Sequence, residues 1–180
     1  AFYDGDEIYL PEQSKKQYPN QFLILKSTTN SKNSALCRFV ADDKPLKKIY
    51  KQEKIWGLMA KNKEQQFAMD LLFDDSVQIV SLTGKAGTGK TLLAAACGLE
   101  QVINSSNYDK LIITRPVQPM GRDIGFLPGS LEEKMMPWIA PLRDNLEFLF
   151  GDKMALDMHM EQGEIEIEAM TFIRGRSISN

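Results

Sequence analysis

The run Gly84-Lys85-Ala86-Gly87-Thr88-Gly89-Lys90-Thr91 constrains this chain more than any other stretch, because it matches the phosphate-binding pattern G-x-x-x-x-G-K-[ST]. Gly84, Gly87 and Gly89 let the backbone bend until its N–H groups face an anion at no steric cost. Lys90 offers a cation to the β- and γ-phosphates, and the Thr91 hydroxyl suits Mg²⁺. Lys85, Ala86, Thr88 and Leu92 complete the candidate nucleotide-contacting stretch. By ordinary residue frequencies such a pattern arises accidentally in under about 1% of chains this long. Its setting also matters. The apolar run Val77-Gln78-Ile79-Val80-Ser81-Leu82 reads as a strand ahead of the loop, and residues 91–103 read as a helix after it, with Leu92, Ala95, Ala96, Leu99 and Val102 or Ile103 on one side. The positive end of that helix adds to the anion site.

The same grammar continues on both sides of the loop. Phe67, Leu71 and Leu72 repeat at helical spacing. Leu111-Ile112-Ile113-Thr114 and Glu164-Ile165-Glu166-Ile167-Glu168-Ala169 read as strands, the second with a solvated glutamate face. Ser130-Leu131-Glu132-Glu133 is a capping-box start for a helix that must be kinked or split at Pro137 and Pro141. Residues 152–162 form another helix. Strand, turn, helix and strand in alternation describe an α/β fold with a parallel sheet and flanking helices.

Residues 1–60 read differently, as a small β-rich segment and connector ahead of a domain over residues 61–180. Glu7-Ile8-Tyr9-Leu10, residues 21–27 and residues 35–40 are strand-like, and the polar run 28–34 makes the last two a hairpin. Lys47, Lys48, Lys51 and Lys54 lie beside Tyr50 and Trp56. That is either a solvated connector whose aromatics pack down or a basic, aromatic contact for RNA.

Composition removes several functions. Lys plus Arg total 22 against 24 Asp plus Glu, a net charge of −2 and a pI near 5.5, so nucleic-acid binding would need a local basic patch. The lone His159, on a polar helix position expected to be solvated, excludes His-rich metal sites and disfavours Ser-His-Asp chemistry. Cys37 and Cys97 read as reduced core thiols, which fits a cytoplasmic location. No apolar run reaches a membrane span and no signal peptide opens the chain, whose missing initiator Met points to a cut chain.

Hydrolysis also requires an acid beside the phosphate loop. Leu71-Leu72-Phe73-Asp74-Asp75 keeps helical rhythm and precedes the loop, so Asp74 and Asp75 are rejected. Glu166 and Glu168 alternate along a strand and are rejected too. The catalytic acid is therefore expected beyond Asn180, or the chain binds without turnover. Thr114-Arg115-Pro116-Val117-Gln118-Pro119-Met120-Gly121-Arg122-Asp123 follows a strand that should end near the loop, where α/β ligand sites lie. Gly125-Phe126-Leu127-Pro128-Gly129 is a rigid turn, and Arg174-Gly175-Arg176 a compact cationic one suited either to phosphate or to solvent.

Together these stretches resemble the ATPase domain of the PhoH-like, phosphate-starvation-inducible family. The match rests on residues 84–94, Thr114-Arg115-Pro116, Gly125-Phe126-Leu127-Pro128-Gly129 and Arg174-Gly175-Arg176. Asn62-Lys63-Glu64-Gln65 is similar to the glutamine motif of superfamily 1 helicases. The resemblance implies a P-loop NTPase fold of RecA-like type, ATP and Mg²⁺ as cofactors, Gln65 reading the adenine edge, and Lys90, Thr91, Arg174 and Arg176 as catalytic groups. It further implies RNA unwinding or processing, with Arg115 and Arg122 as candidate RNA contacts. Residues 1–60 are similar to the segment ahead of the ATPase core in members that carry an upstream PIN nuclease domain. A homo-oligomeric ring is expected by analogy with strand-acting ATPases. Family members continue after Arg-Gly-Arg into a strand ending in an acidic pair, so this chain reads as a fragment truncated before that Walker B motif. Two other readings share the loop: a kinase-like phosphotransferase, and a regulatory module that binds nucleotide without turnover.

Overall fold

A computed structural model describes residues 6–11, 16–30, 32–51, 53–116 and 131–169. Contacts divide the chain into one unit of Ala1–Glu53 with Met59–Val80 and a second of Lys54–Leu58 with Ser81–Asn180.

In the first unit the hairpin forms where its pattern puts it. Strand β1 (Gln21–Lys26) pairs antiparallel with β2 (Ser34–Phe39), from Gln21 opposite Phe39 to Lys26 opposite Ser34. The loop closes through the Ser27 N–H donating to Asn33 O at 3.0 Å. A third strand, β3 (Lys47–Lys48), adds to β2 inside what the sequence marks as connector. Glu7–Leu10, expected as a strand, joins no ladder among the described residues; Ile8 O instead accepts from the Leu46 N–H at 2.8 Å.

Period-two alternation gives the hairpin two faces. One packs Leu23, Leu25, Cys37 and Phe39 with Ile8, Leu10 and Leu46. On the other, Phe22 and Arg38 are cross-strand partners facing helix α1 (Lys63–Leu72). Phe22 stacks on Phe67 with ring centroids 4.2 Å apart. Arg38, only 1% exposed, meets Asp70 three residues further along α1. These contacts place α1 with the hairpin in the first contact-defined unit.

The second unit opens with a reversal over Ile55, Trp56, Gly57 and Leu58, where Ile55 and Leu58 exchange backbone hydrogen bonds of 2.8 Å. Trp56 adopts φ 49° and Gly57 φ 73°, the doubly positive signature of a tight hairpin turn. Trp56 packs on Phe150 at 4.8 Å, as the connector reading expects, but Tyr50 in the first unit stays 69% exposed with Lys48 Nζ over its ring.

Val77–Leu82, expected as the strand before the phosphate loop, pairs with no strand among the described residues, and Ile79 is 88% exposed. Strand-forming side chains do not hold an extended backbone without a neighbour to take its hydrogen bonds. The division between the units falls inside this run, after Val80. Helix α2 (Lys90–Leu99) follows the loop and widens into a π-turn (Glu100–Asn104), rather than running on as an α-helix to residue 103. Buried Gln101 seals that turn, its Nε2 donating to Cys97 O at 3.0 Å.

Strand β4 (Leu111–Arg115) and strand β5 (Ile165–Ala169) pair in parallel, Leu111 opposite Ile165. Helix α3 (Leu131–Phe150) packs against both strands, against α2 and against helix α4 (Lys153–Glu161). It is not split at Pro137 or Pro141, both of which are exposed, so water can take the carbonyls that lose their donors. Arg143 on α3 pairs with Glu147 at 3.1 Å and with Asp157 on α4. His159 is not solvated: its side chain is 17% exposed, bonded to Glu164 and tilted against Phe150. Nor is the glutamate face of β5 open, since Glu166 is half-buried and held by Lys110 at 2.5 Å. The described residues are thus mixed α/β, as expected, with a three-stranded antiparallel sheet in the first unit and a two-stranded parallel sheet in the second; a fuller RecA-like sheet is not seen among them.

Candidate nucleotide-binding site

The loop between Leu82 and α2 takes the shape its glycines allow. Gly87 has φ 76° and Gly89 φ 80°, a region any Cβ would strain. Gly89 is the N-cap of α2 and brings no side chain to satisfy the first turn. The amides of Gly89, Lys90, Thr91 and Leu92 precede the first intrahelical bond, from the Leu93 N–H to Gly89 O at 2.8 Å. They form an uncapped, positive helix end beside an exposed loop.

Lys90 turns back over that loop. Its Nζ donates to Gly84 O at 2.9 Å, to Lys85 O at 2.7 Å and to Thr88 Oγ1 at 3.3 Å. The Thr88 hydroxyl in turn donates to Lys85 O at 2.9 Å. The cation lies half-buried at the base of the loop, and Thr91 is exposed on the first turn. A cation, unpaired-ladder amides and a hydroxyl on one turn are a donor set that fits phosphate oxygens, and Thr91 can supply one oxygen to Mg²⁺. Lys85 and Ala86 are exposed in the loop, while Leu92 is half-buried and anchors it.

The other expected residues are placed as follows. Gln65 belongs to the first unit, on the first turn of α1, where Asn62 Oδ1 accepts from its N–H at 2.9 Å. Its side-chain Oε1 accepts from the Lys61 N–H at 2.7 Å, which gives it a helix-capping task. Arg115 ends β4 with an exposed side chain. Arg122, Arg174, Arg176 and the Gly125–Gly129 turn lie outside the described residues.

The acids rejected from the sequence have structural partners. Asp74 accepts from the Ser76 hydroxyl at 2.5 Å, from Arg38 and from Lys47 at 3.0 Å. The Ser76 hydroxyl, then Arg38, hold its carboxyl well below the usual carboxylate range. Among the described residues no group of three or more His, Cys, Asp and Glu side chains could hold a metal. The sequence reading missed Arg38, although a lone arginine inside the apolar run Ala35–Val40, with Asp70 and Asp74 four apart, was a legible signal.

A glycine loop, its lysine and the uncapped helix behind it define a phosphate-loop α/β protein. The family profile described as PhoH-like protein matches residues 57–180, and the chain belongs to this nucleotide-binding family. It is 44% identical to Protein PhoH2 of Bacillus subtilis (strain 168), over 99% of this chain and 41% of that protein. It is 46% identical to Protein PhoH2 of Mycolicibacterium smegmatis over 69% of this chain and 28% of the relative. Against Protein PhoH of Escherichia coli (strain K12) it is 36% identical over 68% of this chain and 34% of the relative. The chain therefore spans less than half the length of each. The Bacillus match takes in the hairpin unit, which lies mostly ahead of the family profile. No solved structure matches the chain. Among the described residues no helix is long and apolar enough to cross a membrane.

Proposed function

We propose that this chain binds ATP at residues 84–92 and is the nucleotide-binding part of an ATPase that acts on RNA in the full-length protein. The carrying observation is the gathering of Lys90 Nζ beneath the uncapped first turn of α2. On this reading Lys90 exchanges loop carbonyls for β- and γ-phosphate oxygens, and the amides of Gly87 to Leu92 orient the triphosphate. Mg²⁺, held by the Thr91 hydroxyl, would offset charge on the phosphate oxygens.

Gln65 reads adenine in this proposal, Arg174 and Arg176 offset charge developing at the γ-phosphate, and Arg115 and Arg122 contact single-stranded RNA. An acid that orients the attacking water comes from the part of the protein outside this chain, as its relatives' greater length leaves room for. The same length accommodates an upstream nuclease domain, and the assembled protein works as a ring in the cytoplasm.

The test is steady-state phosphate release by this chain and by the full-length protein, each with and without single-stranded RNA. The proposal expects ATP binding by both, turnover stimulated by RNA in the long form, and negligible turnover in the short one. RNA-independent transfer of phosphate to a small acceptor, or nucleotide binding without turnover in the long form, would overturn it.

A further inference from the structure

We infer that Lys48, Tyr50 and Lys51, along the outer edge of the three-stranded sheet, form a second contact for single-stranded RNA, with Tyr50 stacking on a base. The inference rests on the RNA reading above and carries it from the arginines to the hairpin unit. The chain as a whole has a charge of −2, so a nucleic-acid partner needs a local basic patch. Residues 44–51 supply one, with Lys44, Lys47, Lys48 and Lys51 and no acidic residue among them. The sheet then sorts these cations. Lys47 lies opposite Arg38, on the face toward α1, where Asp70 and Asp74 take its charge at 3.7 and 3.0 Å. Lys48 lies opposite Cys37 and belongs to the other face. Its Nζ sits over the Tyr50 ring, 4.8 Å from the centroid. Between the two, Ile49 is buried and its N–H donates to Leu36 O at 2.9 Å, which fixes the backbone that carries both side chains. Lys51 follows, exposed.

Lysines on an edge strand have a simpler use, since charge alone keeps another strand from pairing there. That use does not call for an aromatic ring in water. Tyr50 is 69% exposed, whereas Trp56, six residues on, packs its ring on Phe150. An ammonium over one face of a ring holds the ring's orientation and sets a cation beside whatever stacks on it. A nucleotide offers both complements at once, a flat base for the ring and a phosphate for the ammonium. An acidic peptide would use the lysines and leave the ring idle. A duplex hides its base faces in its own stack. The unpaired strand is the partner that uses all three side chains.

The measurement is fluorescence anisotropy of a labelled, mixed-sequence single-stranded RNA, titrated with this chain and with the full-length protein. Wild type is compared with Tyr50→Ala, Tyr50→Phe, Lys51→Gln and Arg115→Ala. Tyr50→Ala should weaken binding about five- to tenfold, the low end of what stacking one base contributes. Tyr50→Phe keeps the ring and should bind within about twofold of wild type. Lys51→Gln should reduce the slope of log affinity against log salt by about 0.7, one phosphate contact on a single strand. Duplex RNA of the same sequence should bind more weakly, and equally to wild type and Tyr50→Ala. Circular dichroism should be the same for the Tyr50 and Lys51 variants, since both side chains are exposed. Full-strength binding by Tyr50→Ala, or a loss in Tyr50→Phe as large as in Tyr50→Ala, would overturn the stacking contact. A loss in Arg115→Ala alone would do the same and leave the RNA reading standing. No RNA binding by wild type in either form would overturn both. Displacement of the RNA by polyglutamate of matched charge, as effective as displacement by unlabelled RNA, would overturn the contact in favour of an acidic peptide.

Discussion

Arg38 and Lys90 are both cations drawn back into the protein, and the two units treat them in opposite ways. Arg38 is 1% exposed and is answered by formal charge: its Nε lies 2.9 Å from Asp70, its other nitrogens reach Asp74 and Asn20, and Lys47 balances the second carboxylate. Lys90 is answered by neutral oxygens at a half-exposed site, with no carboxylate among its partners there. A cation fixed by carboxylates has no charge left for a ligand, whereas one held by carbonyls can still be exchanged onto an anion. The first arrangement should therefore govern folding, and the second binding.

The largest effect should come from breaking the first arrangement. Arg38→Met leaves Asp70 and Asp74 without their buried partner, and should destabilise the hairpin unit by about 3–5 kcal/mol, read by urea denaturation. Nucleotide affinity of the protein that remains folded should change little. Breaking the second arrangement reverses that pattern. Lys90→Ala should lose most ATP affinity, about 1.5–3 kcal/mol for a charge-assisted contact, with circular dichroism and melting unaltered. Calorimetry with ATP and Mg²⁺ measures it, and undiminished binding would remove the loop from the site.

A smaller loss is expected at Gly98. A Cβ there would lie 2.7 Å from Leu111 Cδ1, so Gly98→Ala should cost about 1–3 kcal/mol in the second unit unless Leu111 rotates away. Gln65 tests both units' logic at once. As a cap partner alone, Gln65→Ala should cost about 0.5–2 kcal/mol of stability. As an adenine reader it should in addition weaken ATP more than GTP, so a nucleotide-independent loss would leave it purely structural.

The mildest effect is acid sensitivity. Because Asp74 is depressed when folded, its contribution is complete above the unfolded value of about 3.9 and is lost as pH falls below it. Denaturation midpoints should drop more steeply below about pH 4 in wild type than in Asp74→Asn. Cys37 and Cys97 carry the opposite sign. Burial pushes them up to about 11 and about 12, so both should resist thiol reagents at neutral pH until the chain unfolds.

Much of this was written locally. The phosphate loop, the hairpin of β1 and β2, α1 with its Asn62 cap, and the parallel order of β4 and β5 follow from glycines, alternation and capping residues. Such signals need only neighbours in sequence, so they are legible without the fold. Three matters were decided in space alone. Val77–Leu82 has strand chemistry, yet a strand exists only when a neighbouring strand takes its hydrogen bonds, and among the described residues it pairs with none; the Val77 N–H instead donates to Asp74 O in the preceding turn. The placement of α1 with the hairpin depends on Phe22 meeting Phe67 and Arg38 meeting Asp70, pairs far apart in sequence. Lys90 is marked by the sequence as a phosphate cation, but its saturation by Gly84, Lys85 and Thr88 comes from the backbone turn that carries those oxygens to one ammonium. Residue type supplies the donors and acceptors; only the folded path of the chain decides which of them meet.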